Sequence, residues 1–177
     1  MKSIAIIGYM CAGKTFVGRE LARLRGQMFY DLDWYIEHRY RKKISDIFAE
    51  EGEEGFRKKE RSMLHEVACF EDVVLSCGGG TPCYYDNIDF LNAQCQTFYM
   101  RASADTLFEH FKMSKATRPM VAGKKDDELR ALIAEQLQVR EPFYLKAQHV
   151  IDINPLGSAE LVRQTAEIIQ KIAATSE

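Results

Sequence analysis

The sequence lacks the features of a membrane protein and of a nucleic-acid-binding protein. No apolar stretch is long enough to span a bilayer, and the chain starts without the pattern of a signal peptide. The formal net charge of −2 gives no general attraction to nucleic acid or to an anionic membrane surface. We therefore expect a protein of the cytoplasm that has neither nucleic acid nor a membrane as a partner. We also expect it to be a monomer.

The sequence also lacks a disulfide framework and a zinc site. Its five cysteines are odd in number and contain no Cys-x-x-Cys pair, which favours a reducing compartment. Its four histidines are scattered, so that no zinc-ligand spacing occurs. With 177 residues, of which 46% are hydrophobic, residues 1–177 suit a single domain with a sizeable core.

Short apolar runs alternate with segments of helical periodicity, and this order predicts βα units and a parallel sheet. The predicted strands are Ser3–Ile7, Met28–Asp31, Val73–Ser76, Thr97–Met100 and His149–Ile151. A last helix is predicted over Ser158–Ala174, with Ser158 as its N-cap and one apolar face against the sheet. Open parallel sheets bind ligands at the carboxyl ends of their strands, so we expect the site there.

The segment Gly8 to Thr15 reads Gly-Tyr-Met-Cys-Ala-Gly-Lys-Thr and follows the first predicted strand. This spacing is typical of a phosphate-binding loop, whose backbone N–H groups cradle nucleotide phosphates. Lys14 would reach the β- and γ-phosphates, Thr15 would bind Mg²⁺, and the next helix would add its positive end. Cys11 would contribute its backbone and not a nucleophile. The loop therefore predicts binding of a nucleoside triphosphate.

Asp31 and Asp33 close the second predicted strand. Alternate residues of an extended segment share a face, so both carboxylates would point the same way. Beside a triphosphate, one would hold Mg²⁺ through water, and the other would orient or deprotonate an attacking hydroxyl. The alternatives are a solvated strand end or the N-cap of a helix over Trp34–Tyr40.

Gly78-Gly79-Gly80 follows the third predicted strand. Three glycines remove every side chain from a short arc, so that a ligand can approach the backbone N–H groups. A tight turn before the next helix is the alternative, and the location at the strand ends favours the ligand. The nearby pair Tyr84 and Tyr85 is assigned to packing.

Arg57 and Arg140 are candidates for binding an acidic substrate. Arginine grips a carboxylate with two parallel hydrogen bonds, so two arginines form a natural clamp for a small acid. Glu60 lies one turn after Arg57, where it would hold the guanidinium in position. Surface salt bridging is the alternative for both arginines.

Two segments are expected to project from the sheet: a substrate-binding excursion at about residues 33–61 and a flap at about residues 113–127. The flap carries Arg118. A flap arginine can stabilise the charge of a transferred phosphoryl group, although a solvated basic loop explains it equally well. The chain has no Asp-x-x-Gly and no Asn-Lys-x-Asp, which disfavours a GTPase, and motors are normally longer. A compact small-molecule kinase remains.

The chain resembles the shikimate kinase family in the order and spacing of five motifs that follow the phosphate-binding loop. They are Asp31-x-Asp33, Phe56-Arg57-x-x-Glu60, Gly78-Gly79-Gly80, Thr117-Arg118-Pro119 and Arg140-x-x-x-Tyr144. The resemblance extends to about residue 151. It implies an α/β, three-layer αβα sandwich of the P-loop NTPase type, with a five-stranded parallel sheet in the order 2-3-1-4-5. It also implies transfer of the ATP γ-phosphate to the 3-hydroxyl of shikimate, on the route to chorismate and the aromatic amino acids.

The resemblance also implies roles for individual residues. Shikimate would be bound by Asp33, Arg57, Gly79 and Arg140, with Asp33 as base or orienting group. Lys14, Asp33 and Arg118 would form the catalytic set. The nucleotide would contact Cys11, Ala12, Gly13, Lys14, Thr15, Phe16 and Arg118. Thr15 and Asp31 would hold Mg²⁺.

Three departures from the family pattern are visible. Cys11 stands where glycine is common, and Phe16 stands where a second hydroxyl residue is common. The segment Asp152 to Gly157 lacks the arginine that family members often place beside the adenine. Base recognition would then rest on backbone, on Asn154 or on Arg118. The alternative hypotheses for the function are a gluconate kinase, a nucleoside-monophosphate kinase and a non-catalytic ATP sensor.

Overall fold

A computed structural model describes residues 2–114 and 125–176 of the chain. Its strands are β1 (Ile4–Ile7), β2 (Met28–Asp31), β3 (Val73–Ser76), β4 (Gln96–Arg101) and β5 (His149–Asp152). Its helices are α1 (Lys14–Arg25), α2 (Leu32–Tyr40), α3 (Ile44–Ala68), α4 (Asn87–Gln94), α5 (Ala104–Met113), α6 (Asp126–Tyr144) and α7 (Ala159–Thr175). A short 3₁₀ turn spans Thr81–Cys83.

The five strands form one parallel sheet in the order β2-β3-β1-β4-β5, with helices on both sides. This confirms the predicted fold class and strand order. Each predicted strand is present, with its ends within one residue of the prediction.

The middle of the sheet is its most apolar part. Every residue of β1 and β3 is buried, and Ile4 of β1 lies opposite Val74 of β3 and Gln96 of β4. A strand covered on both faces reads as a continuous apolar run, which is why Ile4 to Ile7 could be recognised in the sequence. The edge strands β2 and β5 are only partly buried.

The ends of two helices are set by the residues that flank them. Ser158 is the N-cap of helix α7, and its hydroxyl accepts a hydrogen bond from the N–H of Leu161 at 3.3 Å, so the predicted N-cap is confirmed. Helix α1 ends at Gly26, which adopts a left-handed conformation with φ of 65°. At its start, α1 has Gly13 and no side-chain cap among the described residues.

The predicted excursion at residues 33–61 forms α2 and the first two thirds of α3. Helix α3 is interrupted at Gly52, where φ is 70° and ψ is −175°. This backbone region is essentially restricted to glycine. After the break, α3 turns Phe56, Arg57 and Glu60 toward the interior. The predicted flap lies mostly outside the described residues, which include neither Arg118 nor its motif neighbours Thr117 and Pro119.

The described residues contain no helix with the length and apolar character of a membrane span. Each of the five cysteines lies in a described range, and none of them forms a disulfide there.

Candidate functional site

A cleft of about 580 Å³ opens at the carboxyl ends of β1, β2 and β3. The three segments that were expected to converge do meet in it: the phosphate-binding loop, the Asp31–Asp33 segment and the glycine arc Gly78–Gly80. Its lining includes Cys11, Gly13, Lys14, Thr15, Phe16, Asp31, Asp33, Gly78, Gly79, His110, Met113 and Leu156. The loops at this edge begin at the carboxyl ends of neighbouring parallel strands, so motifs that are distant in the sequence come together in one cavity.

The phosphate-binding loop is held in shape from within and by its neighbours. Lys14 is buried, and its ammonium donates to the carbonyl of Tyr9 at 2.8 Å. Cys11 has a φ of 61°, a left-handed conformation in which a side chain is costly. This explains why glycine is common at that position. A Cβ on Gly8 would lie 2.8 Å from the carbonyl oxygen of Met100, so this glycine is required for space.

Thr15 and Asp31 lie together at the floor of the cleft. The hydroxyl of Thr15 donates to Oδ2 of Asp31 at 2.8 Å, and Oδ1 of Asp31 accepts from the N–H of Trp34 at 3.3 Å. Asp31 is therefore the N-cap of α2, the alternative considered from the sequence, and at the same time it faces the Thr15 hydroxyl. Hydroxyl and carboxylate oxygens are the donors that Mg²⁺ accepts, so this pair suits a divalent cation that is shared with phosphates.

The reasoning that placed Asp33 beside Asp31 was wrong in its geometry. Strand β2 ends at Asp31, and Asp33 lies in the first turn of α2, so strand alternation does not relate the two carboxylates. The aspartates do line the same cleft, because α2 starts directly at the strand end. A Cβ placed on Gly78 would lie 2.7 Å from Oδ1 of Asp33. Asp33 is thus turned to the glycine arc.

The glycine arc lets three polar side chains approach the backbone closely. A Cβ on Gly80 would lie 2.6 Å from Nη2 of Arg57, and one on Gly79 would lie 3.7 Å from Nη1 of Arg140. The arc also makes the turn that was the alternative, since the N–H of Thr81 donates to the carbonyl of Gly78 at 3.1 Å. Asp33, Arg140 and Arg57 therefore lie along three successive glycines.

Arg57 is a buried residue and not a surface salt bridge. Its Nη1 donates to Glu60 at 2.8 Å, the contact predicted from their spacing, and Glu60 also accepts from the hydroxyl of Thr81 at 2.7 Å. Burial opposes the charge of Arg57, but the charge and hydrogen bond of Glu60 outweigh it and raise its pKa. The guanidinium also lies 3.9 Å from the ring centroid of Tyr84, so Tyr84 contacts a candidate site residue and does more than pack.

Arg140 comes from α6 and is half-buried. Its guanidinium lies 5.6 Å from the ring centroid of Tyr9 in the phosphate-binding loop. One turn later, the hydroxyl of Tyr144 donates to the carbonyl of Gly79 at 2.5 Å. Burial raises the pKa of Tyr144 well above its ordinary value, so this hydroxyl keeps its proton. Helix α6 is thereby fixed to the glycine arc.

Sequence reasoning missed His110, which joins the two loops on the nucleotide side. Its Nδ1 lies 2.8 Å from the carbonyl of Cys11, and its Nε2 accepts from the N–H of Leu156 at 2.7 Å. Because Nε2 accepts, Nδ1 is the nitrogen that carries the proton. The side chain of Leu156 in turn packs on Gly13, where a Cβ would lie 2.4 Å away. No local sequence signal marks a histidine whose partners lie so far along the chain.

Together, the sheet order, the phosphate-binding loop and the acidic and basic groups around it define a P-loop kinase fold. Comparison with protein families gives the particular one: the family model "Shikimate kinase" matches residues 10–173. The chain therefore belongs to the shikimate kinase family, which confirms the resemblance noted in its motifs.

Named relatives and solved structures agree. The chain is 50% identical over 172 residues to a shikimate kinase of Parabacteroides distasonis, covering 97% of this chain and 99% of the relative. The crystal structure of shikimate kinase from Bacteroides thetaiotaomicron superimposes with a TM-score of 0.93 at 43% identity, covering 98% of both chains. A shikimate kinase from Acinetobacter baumannii, solved in complex with shikimate, gives a TM-score of 0.86 at 30% identity, covering 100% of this chain and 95% of that one.

A gluconate kinase, one of the alternatives considered from the sequence, is related to this chain by fold alone. A gluconokinase from Sinorhizobium meliloti has a TM-score of 0.59 at 14% identity, covering 99% of this chain and 98% of that one. A likeness at this level reflects the shared architecture and carries no argument about the substrate.

Proposed function

We propose that the protein transfers the γ-phosphate of ATP to the 3-hydroxyl of shikimate, giving shikimate 3-phosphate and ADP on the route to chorismate and the aromatic amino acids. The observation that carries the proposal is a cleft in which a phosphate-binding loop faces Asp33 and the glycine arc, with Arg140 and Arg57 close to the next two glycines of that arc. Membership of the shikimate kinase family and the relative solved with shikimate support it.

The donor side would bind ATP through the residues Cys11 to Phe16. The start of α1, which has no side-chain cap among the described residues, would offer backbone N–H groups and a positive helix end to the phosphates, and Lys14 would move from the Tyr9 carbonyl to a phosphate. Mg²⁺ would be held by Thr15 and Asp31 together with phosphate oxygens, and it would neutralise phosphate charge. The adenine would lie near His110, Met113 and Leu156, which line the cleft on the nucleotide side.

The acceptor side would bind shikimate through Asp33, Arg57, Gly79 and Arg140. The two guanidinium groups would hold the carboxylate, and a backbone N–H of Gly79 would contact the ring hydroxyls. Asp33 would then orient the reacting hydroxyl and accept its proton as the phosphoryl group arrives. Phosphoryl transfer needs mainly positioning and charge compensation, which these groups supply together with Lys14.

Several expectations from the sequence belong to the proposal. Arg118 would stabilise the charge of the transferred phosphoryl group from the flap at about residues 113–127. We also propose that residues 1–177 form one domain, that the protein acts as a monomer in the cytoplasm, and that its partners are small molecules. The free cysteines are consistent with a reducing compartment.

A turnover assay tests the substrate. ADP release is measured with shikimate, gluconate or AMP as acceptor, at the same ATP and Mg²⁺ concentrations. We expect turnover with shikimate and rates at background with the other two, because the Asp33, Arg57 and Arg140 set suits hydroxyls plus a carboxylate. Turnover with gluconate or AMP alone would contradict the proposal, and binding of ATP without any turnover would favour a sensor.

A further inference from the structure

The arginine proposed to bind the substrate carboxylate already holds a second carboxylate of the protein itself. Oε1 of Glu53 accepts from Nη2 of Arg57 at 3.3 Å and from the hydroxyl of Tyr84 at 2.5 Å. The Tyr84 ring is the one on which the Arg57 guanidinium lies. Glu53, Arg57 and Tyr84 therefore form a closed contact triangle beside Gly80.

Glu53 also lies in the field of both clamp arginines. Its pKa is lowered, first by the Tyr84 hydrogen bond and, against the opposing effect of burial, by the charges of Arg57 and Arg140. A negative charge in this place compensates the two positive charges that would otherwise attract an acid.

The two carboxylates on Arg57 differ in how firmly they are held. The Glu60 side chain is 1% exposed and is fixed by the Thr81 hydroxyl, so it belongs to the permanent support of the guanidinium. The Glu53 side chain is 57% exposed, and it engages Nη2 and not the Nη1 that Glu60 holds. Glu53 is thus the partner of Arg57 that can leave while the support stays.

The backbone before Glu53 is suited to such a movement. Glu53 directly follows Gly52, where the helical conformation of α3 is broken, and no described atom lies within 4 Å of a Cβ built on Gly52. A change at this position therefore meets no packing against the described part of the chain. The buried residues Arg57 and Glu60 lie after this break, in the next turns of α3.

We propose that Glu53 is an internal competitor for the substrate carboxylate: it occupies Arg57 when no substrate is bound and is displaced when the acid arrives. The inference rests on the proposed function of the cleft. An incoming carboxylate would bind Nη2 of Arg57 and would be attracted by the positive charges of Arg57 and Arg140. Glu53 already accepts from Nη2 and compensates these charges. A ligand without a carboxylate has nothing to offer in exchange, so the competitor adds selectivity for acids over neutral polyols.

The decisive variant is Glu53→Gln, which removes the charge and keeps the shape. We expect the KM for shikimate to fall about twofold to fivefold, since an ion pair with one exposed partner is worth up to about fivefold in an equilibrium. The dissociation constant of shikimate, measured by calorimetry without nucleotide, falls in parallel, and kcat stays within about twofold. Tyr84→Phe removes the second hydrogen bond to Glu53 and is expected to lower the KM in the same direction by a smaller factor.

The matched control is Glu54→Gln. Glu54 is the next residue, its side chain is 79% exposed, and it pairs with Lys58 at 2.7 Å and not with a clamp arginine. The change in net charge is the same, so an unchanged KM in this variant and a lowered one in Glu53→Gln isolates the competition at Arg57. A KM for shikimate that rises or stays the same in Glu53→Gln overturns the inference. Failure of the unmodified protein to phosphorylate shikimate would instead overturn the proposed function, and the two results are distinguishable.

Discussion

The two sides of the cleft are built in different ways. The phosphate-binding part of the donor side is one continuous segment, Gly8 to Phe16, whose proposed ligands are mainly backbone groups at the start of α1. The acceptor side is assembled from side chains of α2, α3 and α6 around the glycine arc. Backbone groups of one turn are fixed by local dihedral angles, whereas the acceptor set exists only when three helices are packed.

This difference decides how each side is stabilised. In the loop, Lys14 and Ala12 bond to the carbonyl of Tyr9, so the contacts are local. On the acceptor side, Arg57 depends on Glu60, and Glu60 depends on Thr81 from the next segment. Removing one member of such a buried chain leaves an unpaired group, which is costly. We therefore expect substitutions on the acceptor side to change the kinetic constants more strongly, and more selectively for one substrate, than substitutions in the phosphate-binding loop.

The largest effect is expected for a variant of Asp33 that slows phosphoryl transfer and leaves ATP binding intact. Asp33→Asn keeps the size of the side chain but cannot accept the proton, so we expect kcat with shikimate to fall by about 10²–10⁴-fold. ATP binding, measured by calorimetry, stays near that of the unmodified protein because the proposed ATP ligands are other residues, Cys11 to Phe16, with Asp31 at the Mg²⁺. Asp46→Asn, the same change at an exposed position of α3, is the control. Unchanged turnover in Asp33→Asn would remove Asp33 from the proposed mechanism.

The second prediction isolates the clamp from the rest of the acceptor side. Arg57→Lys keeps the charge beside Glu60 but loses the planar fork and the contact with Tyr84, so we expect the KM for shikimate to rise about 30-fold to 100-fold. The KM for ATP should change by less than about threefold on the same reasoning. Initial-rate measurements with each substrate varied in turn give both values.

Arg61→Lys is the matched control for this variant. Arg61 lies one turn further along α3, is more exposed, and pairs with Asp86 at 2.7 Å. It should leave both KM values unchanged. Equal effects of Arg57→Lys on the two KM values would mean that the clamp acts on folding and not on the acceptor.

The same contrast explains what could be predicted from the sequence. The loop and β1 were recognisable because contiguous residues carry both the phosphate-binding spacing and the apolar run. The contact between Arg57 and Glu60 was foreseeable from helical spacing. The turn into α2 was not predicted, because the helix follows the strand directly after Asp31 and the period-2 alternation was extended too far. Tyr84 and His110 act through tertiary contacts that no local pattern announces.

The third prediction concerns a contact on the donor side between residues that are distant in the sequence. His110→Ala removes the bridge between the Cys11 carbonyl and the Leu156 N–H, so the loop beside the proposed base site loses its attachment. We expect the KM for ATP to rise about fivefold to tenfold, the loss of one or two hydrogen bonds, with a smaller change for shikimate. Glu109→Ala, the exposed neighbour on α5, is the control. If only the KM for shikimate changed, the proposed position of the adenine beside His110 would be contradicted.

The smallest expected effect compares the backbones of the two sides. Gly26 ends the donor-side helix α1 with φ of 65° and ψ of 28°, whereas Gly52 interrupts the acceptor-side helix α3 with φ of 70° and ψ of −175°. Neither has a described atom within 4 Å of an added Cβ, so the cost of alanine comes from the dihedral angles. Other residues tolerate the first region far better than the second.

We therefore expect Gly52→Ala to lower the free energy of unfolding by about 1–3 kcal/mol and Gly26→Ala by about 1 kcal/mol, both measured by urea denaturation. Because Glu53 follows Gly52, Gly52→Ala should also change the KM for shikimate, whereas Gly26→Ala should leave it unchanged. Equal destabilisation by the two variants, with no change in KM, would mean that α3 relaxes into a regular helix without moving the competitor. In that case the break at Gly52 would serve the path of the chain and not the clamp.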